Sequence, residues 1–256
     1  MHKIFKFLYS LKIPFFKRLI PSLVKRVFFF NNIQIVQLIF AKIKLDLTQS
    51  IDKEIYLKGF YEKDQLEFLE KIIKNKEITH FFDIGANIGY YSLYFKNIPN
   101  IYAFEPNKEN FLRLQENNKL NNFNINLFNF GLSNSNSESE IWYTNKDKMG
   151  GSAIFNKDDS ELKKYDPKNI IKEDILIKRL DEVLKINQSK IMIKIDVERH
   201  EKKVLEGMKN IIMQNNIIMQ IEIGNENKKD VFDYLDKLNL KWINTIKHDH
   251  YFIKDI

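Results

Sequence analysis

The sequence predicts an α/β fold: an open, mostly parallel seven-stranded sheet with helices on both faces, behind a basic helical extension. Two observations predict the sheet. From residue 56 onward, short β-branched and aromatic runs alternate with segments of helical period, and the first run closes in a glycine turn that opens into a helix. A third observation sets the extension apart. Residues 1–44 hold nine Lys or Arg and no acid; of the 41 basic residues, 32 therefore remain to face all 34 acids, and the rest of the chain is about neutral.

That distribution decides what the net charge of +7 means. A uniformly basic domain would point to nucleic acid, whereas here the positive field belongs to one end, so no nucleic-acid partner is expected. With 256 residues and 44% apolar content the chain can bury one sizeable core. It has no cysteine, which fits a reducing cytoplasm and excludes disulfides and thiolate metal sites.

The elements follow in order. Residues 1–55 form the extension and 56–256 the main domain. In the extension, charges interrupt every apolar run before it could span a bilayer, and Pro14 and Pro21 divide it into short helices. A basic face set against Phe15, Phe16 and Phe28 to Phe30 suits peripheral attachment to an anionic membrane, at its inner face. The alternative is a cap packed on the domain or on a second copy of the chain, a homo-oligomer.

In the main domain, a helix over 65–74 leads to a strand at 81–84, then a helix through Tyr91 and Leu93. A strand at 101–104, a helix at 108–117 and a strand at 125–130 follow. Residues 134–170 read as polar and irregular, a lid or acceptor loop. Then come a short extended run at 175–177, a helix over 181–184, a strand at 191–197, a helix over 200–212, a strand at 217–223 and a helix over 229–238. Two last strands, 241–246 and 251–254, close a hairpin that supplies the antiparallel strand.

In such sheets ligands sit at the carboxyl ends of the parallel strands. That edge carries Asp83, Glu105, Ser133, Asp196, Glu222 and the turn at 248–250. The stretch from Asp83 through Gly85, Ala86 and Asn87 to Gly89 is D-x-G-x-x-x-G, and Glu105 follows Asp83 by 22 residues, flanked by Phe104 and Pro106. The glycines let the backbone approach a ligand, and the later acid is placed to accept hydrogen bonds from ribose hydroxyls. No G-x-G-x-x-G is present for a pyrophosphate. An acidic Asp83 beside the loop suits S-adenosylmethionine, whose amino-acid tail carries an ammonium, better than a dinucleotide.

Seven separated segments together resemble the FkbM-type S-adenosylmethionine-dependent methyltransferases. They are Gly59-Phe60-Tyr61-Glu62, the loop from Asp83 to Gly89, Phe104-Glu105-Pro106, Gly131-Leu132-Ser133, Gly150-Gly151-Ser152, Leu180-Asp181-Glu182 and Lys194-Ile195-Asp196-Val197-Glu198. The resemblance covers about residues 56–222 and implies the class I, Rossmann-like seven-stranded methyltransferase sheet. It also implies transfer of a methyl group to a hydroxyl, most plausibly on a sugar of a bacterial surface glycan or its precursor. Gly150, Gly151 and Ser152 are then expected to line the acceptor entrance, with Lys194 beside it. Arg199 stands where the family pattern has glycine.

Methyl transfer from a sulfonium rests largely on geometry, but an alcohol acceptor needs a base or a metal. Asp196 and Glu222 end the fourth and fifth strands and are the expected pair, able to hold Mg²⁺ through oxygen. Glu198 and Lys194 share the face of Asp196 by alternation, and His200 at a helix start is a candidate base. Other readings stay open: N-methylation, a non-sugar alcohol as acceptor, or an inactive membrane-attached module whose Arg199 marks lost catalysis.

Overall fold

The computed structural model describes residues 32–144 and 166–255. The chain opens with an antiparallel hairpin of β1 (Ile33–Gln37) and β2 (Lys42–Asp46), followed by helices α1 (Ser50–Lys58) and α2 (Lys63–Ile73). Strand β3 (His80–Ile84), helix α3 (Tyr90–Tyr94), strand β4 (Asn100–Phe104), helix α4 (Lys108–Asn121) and strand β5 (Asn126–Phe128) come next. Strands β6 (Gly131–Leu132), β7 (Ser137–Thr144) and β8 (Ile170–Lys178) form a side sheet. The chain then runs through α5 (Leu180–Val183), β9 (Lys190–Ile195), α6 (Glu201–Gly207), α7 (Lys209–Gln214), β10 (Asn216–Glu222), α8 (Lys228–Lys237), β11 (Lys241–Ile246) and β12 (Asp249–Lys254).

The main sheet has seven strands in the order β11-β12-β10-β9-β3-β4-β5. Strands β10, β9, β3, β4 and β5 are parallel, and β12 runs antiparallel to both its neighbours. The central strands are apolar on both faces because helices cover both. In β3, Phe81 joins the core that holds Tyr56, Leu69 and Tyr251, while Phe82 joins the opposite core with Leu205, Met219 and Leu235. Both phenylalanines are fully buried, so truncating either to alanine removes about 3–5 kcal/mol.

Three departures from the sequence reading matter. Residues 33–46 are a hairpin rather than part of a helical extension. Alternation in β2 sends Ile43 and Leu45 into the core, and Asn117 and Asn121 of α4 bond its backbone: Asn117 Oδ1 accepts from Lys44 N–H (2.7 Å) and Asn121 Oδ1 from Lys42 N–H (2.8 Å). Helix α1 crosses position 55/56, where the main domain was expected to begin, and buries Ile55 and Tyr56 side by side. Second, 137–144 is a strand, not irregular chain, pairing in register with a β8 that starts at residue 170. Third, the helix over 200–212 is broken at Met208. There Gly207 lies against the loop after β6, where a Cβ would stand 1.8 Å from the carbonyl oxygen of Ser133. The basic segment expected to bind membrane lies mostly outside the described residues, and Gly150, Gly151 and Ser152 lie wholly outside them. Among the described residues no helix is long and apolar enough to cross a membrane.

Candidate functional site

A cleft opens at the carboxyl ends of β3, β4 and β9, the edge where ligands sit in such sheets. It gathers Asp83, Gly85, Ala86, Asn87, Phe104, Glu105, Pro106, Lys194, Asp196 and Glu198 from the sequence expectations. It also gathers residues given no role there, notably Tyr61, Tyr91, Asn110 and Tyr143.

The loop after β3 turns where Gly85 takes φ 81°, a left-handed conformation. A Cβ there would stand 1.9 Å from the carbonyl oxygen of Asp196, so β3 and β9 meet too closely for any side chain. Asp83 is buried, and its Oδ2 accepts from both the N–H (3.0 Å) and the hydroxyl (2.6 Å) of Ser92. Burial raises its pKa, opposed by the ammonium of Lys194 and by the Ser92 bonds.

Glu105 is held on one side of the cleft by backbone donors. Its Oε2 accepts from the N–H of Asn87 (2.8 Å) and its Oε1 from the N–H of Asn107 (2.9 Å). A carboxylate has about four acceptor positions, so two backbone donors leave room for hydroxyls. Burial pushes its pKa up to about 7 despite those donors, helped by the charges of Asp196 and Asp83. Asn107 also caps α4, its Oδ1 accepting from Asn110 N–H (2.9 Å). The buried side-chain oxygen of Asn110, in the cleft wall, meets no donor among the described residues.

On the other side, Lys194 is buried and donates to Asp196 Oδ2 (2.9 Å), with its ammonium 4.7 Å from the centroid of the Tyr91 ring. Burial opposes its charge, but the carboxylates of Asp196, Glu62 and Asp83 outweigh that and hold it protonated. Tyr91 donates to Glu62 Oε2 (2.7 Å) and accepts from Gln220 Nε2 (3.2 Å). Gln220 and Gln65 donate to the two oxygens of Asp249, at 2.7 and 3.1 Å. Five elements therefore converge beside Asp196 through side chains alone. Asp196 itself keeps 32% of its side chain exposed, toward the cleft.

Glu222 is only half-buried and does not line the cleft. Burial, then the charges of Asp196 and Asp249, raise its pKa, so it shares the field of Asp196. The cation that pairs with Asp196 is Lys194, and among the described residues there is no group of three or more Asp, Glu or His side chains that could hold a metal.

His200 and Ser133 are brought together, but away from the cleft. Buried His200 meets Ser133 Oγ through Nε2 at 2.9 Å, and neither side chain lines the cavity, whose wall at β6 is made by Gly131 and Leu132. Burial, then Lys203, lowers the His200 pKa to about 4. Its geometry is that of a buried bond between α6 and the loop after β6. Glu198 and Arg199 have φ 45° and 68°, the left-handed region that glycine favours, which explains the glycine of the family pattern. Arg199 holds that conformation with its N–H on Glu201 Oε1 (2.8 Å) and its guanidinium on Glu226 (2.9 Å).

The family model of the methyltransferase FkbM domain matches residues 83–249. This chain belongs to the FkbM methyltransferase family. Hexuronic acid methyltransferase AglP of Haloferax volcanii is 27% identical over 180 residues, covering 70% of each chain. Among solved structures, methyltransferase FkbM from Methylobacillus flagellatus superposes with a TM-score of 0.47 at 14% identity, over 70% of this chain and 44% of that one. A Streptococcus mutans protein solved with S-adenosylhomocysteine gives 0.45 at 10% identity, over 73% of this chain and 95% of that one. The chain thus spans less than half of the Methylobacillus protein. Membership makes it an S-adenosylmethionine-dependent methyltransferase.

The cleft's chemistry fits that cofactor. Glu105 offers lone pairs where a ribose would lie, the unmet oxygen of Asn110 offers an acceptor to an amine, and Asp83, Asp196 and Glu198 give the cavity the negative character a sulfonium with an ammonium tail requires.

Proposed function

We propose that this enzyme transfers the methyl group to a hydroxyl of a sugar, in a bacterial surface glycan or its precursor. The observation that carries the reading is Asp196: a carboxylate at the end of β9, exposed to the cleft and fixed by Lys194 within the same cavity as Glu105. The cofactor, when bound, supplies an already activated methyl group. Glu105 and Asn110 hold its nucleoside end, and Asp83 contributes the negative field for its tail.

Asp196 would take the proton of the acceptor hydroxyl, whose oxygen gains the methyl group as the methyl–sulfur bond breaks and the neutral thioether leaves. Lys194 keeps the carboxylate oriented, and the reading gives the positive charge beside Asp196 to Lys194 rather than to Mg²⁺. Glu198 and Tyr61 border the same space and contact the acceptor. The sugar class is supported by the resemblance to a hexuronic acid methyltransferase over 70% of the chain.

The test is mass spectrometry of surface glycans from cells with and without the gene. The expected result is a glycan lacking one methyl substituent in the deletion, restored by the wild-type gene and not by Asp196→Asn. Identical glycans in both strains, with a methylated amine or lipid lost instead, would overturn the sugar hydroxyl as acceptor.

A further inference from the structure

The strand pair β7–β8 contains one residue that departs from its own pattern. Along β8, alternation turns Ile171, Glu173, Ile175 and Ile177 to one face, and Ile175 and Ile177 pack there with Ile141 and Tyr143 of β7. Glu173 lies directly opposite Ile141 in the register. Both Ile141 and Tyr143 line the cofactor side of the cleft. An acid on this face loses hydration and has to be met by donors.

The donors come from the start of α4, more than sixty residues earlier in the chain. Glu173 Oε1 accepts from the N–H of Lys108 (2.8 Å), and Oε2 accepts from Asn107 Nδ2 (2.7 Å). The N–H of that same Asn107 donates to Glu105 Oε1. Adjacent control residues on β8 do nothing similar: Asp174 points outward, with 82% of its side chain exposed, and pairs only loosely with Lys172. A continuous path of hydrogen bonds therefore joins the β7–β8 arm to the carboxylate at the ribose position.

We propose that Glu173 is a positioning residue: it latches the β7–β8 arm over the cofactor pocket and, through Asn107, holds Glu105 where it grips the ribose diol. The proposal rests on the reading of the cleft as an S-adenosylmethionine site. Loss of Glu173 removes the acceptor of Asn107 Nδ2 and of the first N–H of α4, leaving Asn107 tethered through its Asn110 cap, so Glu105 loses the full fixing of one of its two backbone donors. The affinity that disappears is then affinity for ribose hydroxyls in particular.

The test is calorimetric titration of the full-length protein with S-adenosylhomocysteine and with its 2′-deoxy analogue. For Glu173→Ala we expect a loss of about tenfold for S-adenosylhomocysteine, the scale of one charge-assisted hydrogen bond, and a much smaller loss for the 2′-deoxy analogue. The preference between the two ligands shrinks accordingly, while Asp174→Ala binds both as wild type does. If the alanine variant does not fold, Glu173→Gln is titrated in its place, with the same narrowing expected. Unchanged affinity for S-adenosylhomocysteine, or an equal loss for both ligands, overturns the latch. Failure of the wild type to bind S-adenosylhomocysteine removes the cofactor reading itself.

Discussion

The two sides of the cleft are built by opposite means. Around Glu105 the frame is backbone: the N–H groups of Asn87 and Asn107 hold the carboxylate from 18 and 2 residues away in sequence. Around Lys194 the frame is side chain on side chain, joining Glu62, Gln65, Tyr91, Asp196, Gln220 and Asp249 across as many as 184 residues. A backbone frame survives the loss of the side chain it holds. A side-chain network does not, because each member is the partner that keeps another satisfied. Substitutions on the first side are therefore expected to remove ligand contacts, and those on the second to disturb neighbouring groups as well.

The largest stability effect is expected at Lys194. Replacing it with methionine leaves the carboxylates of Asp196, Glu62 and Asp83 without their shared cation, in a site where the lysine side chain is only 6% exposed. Breaking a buried pair in this way costs about 3–5 kcal/mol. Urea denaturation should show that loss for Lys194→Met and a partial recovery when Asp196→Asn is added. A loss below about 1 kcal/mol, or no recovery, would place the lysine outside the network.

A smaller effect is expected from pH on the cofactor side. The folded-state pKa of Glu105 is raised from 4.5 to about 7, so its contribution to folding is complete below the lower value and lost as pH rises through the higher one. Ligand binding has the opposite sign. Ribose hydroxyls donate to the ionised carboxylate, so affinity for S-adenosylhomocysteine should rise from about pH 6 to about pH 8, with proton release that varies with buffer ionisation enthalpy. Glu105→Gln should flatten the profile. A flat profile in the wild type would show that the ribose does not meet this group.

The same contrast explains what could be read in the sequence. The turn from Asp83 to Gly89 and the acid at Glu105 were legible because the backbone imposes them locally: φ 81° and 86° at Gly85 and Gly89, and a strand end 22 residues further on. The strands themselves followed from apolar runs such as that from Ile191 to Ile195, buried on both faces. Tyr91, Glu62 and Asp249 gave no such signal, since their relation exists only after three distant elements pack. Residues 137–144 hid for another reason. The inward positions of β7 begin with Ser137 and Ser139, so no apolar alternation announces a strand, and Tyr143 and Glu173 were passed over with it. Ser133 was read onto the active edge and His200 as a base at a helix start; in the fold their side chains meet each other, a contact no local pattern announces.

The most direct test of the division within the cleft is calorimetric titration of S-adenosylhomocysteine into wild type, Glu105→Ala and Asp196→Asn, with each variant first shown to be folded. The expected result is binding by the wild type, loss of detectable binding in Glu105→Ala, and an affinity within about threefold of wild type in Asp196→Asn, a difference below 1 kcal/mol. Wild-type affinity in Glu105→Ala, or equal loss in both variants, would contradict it.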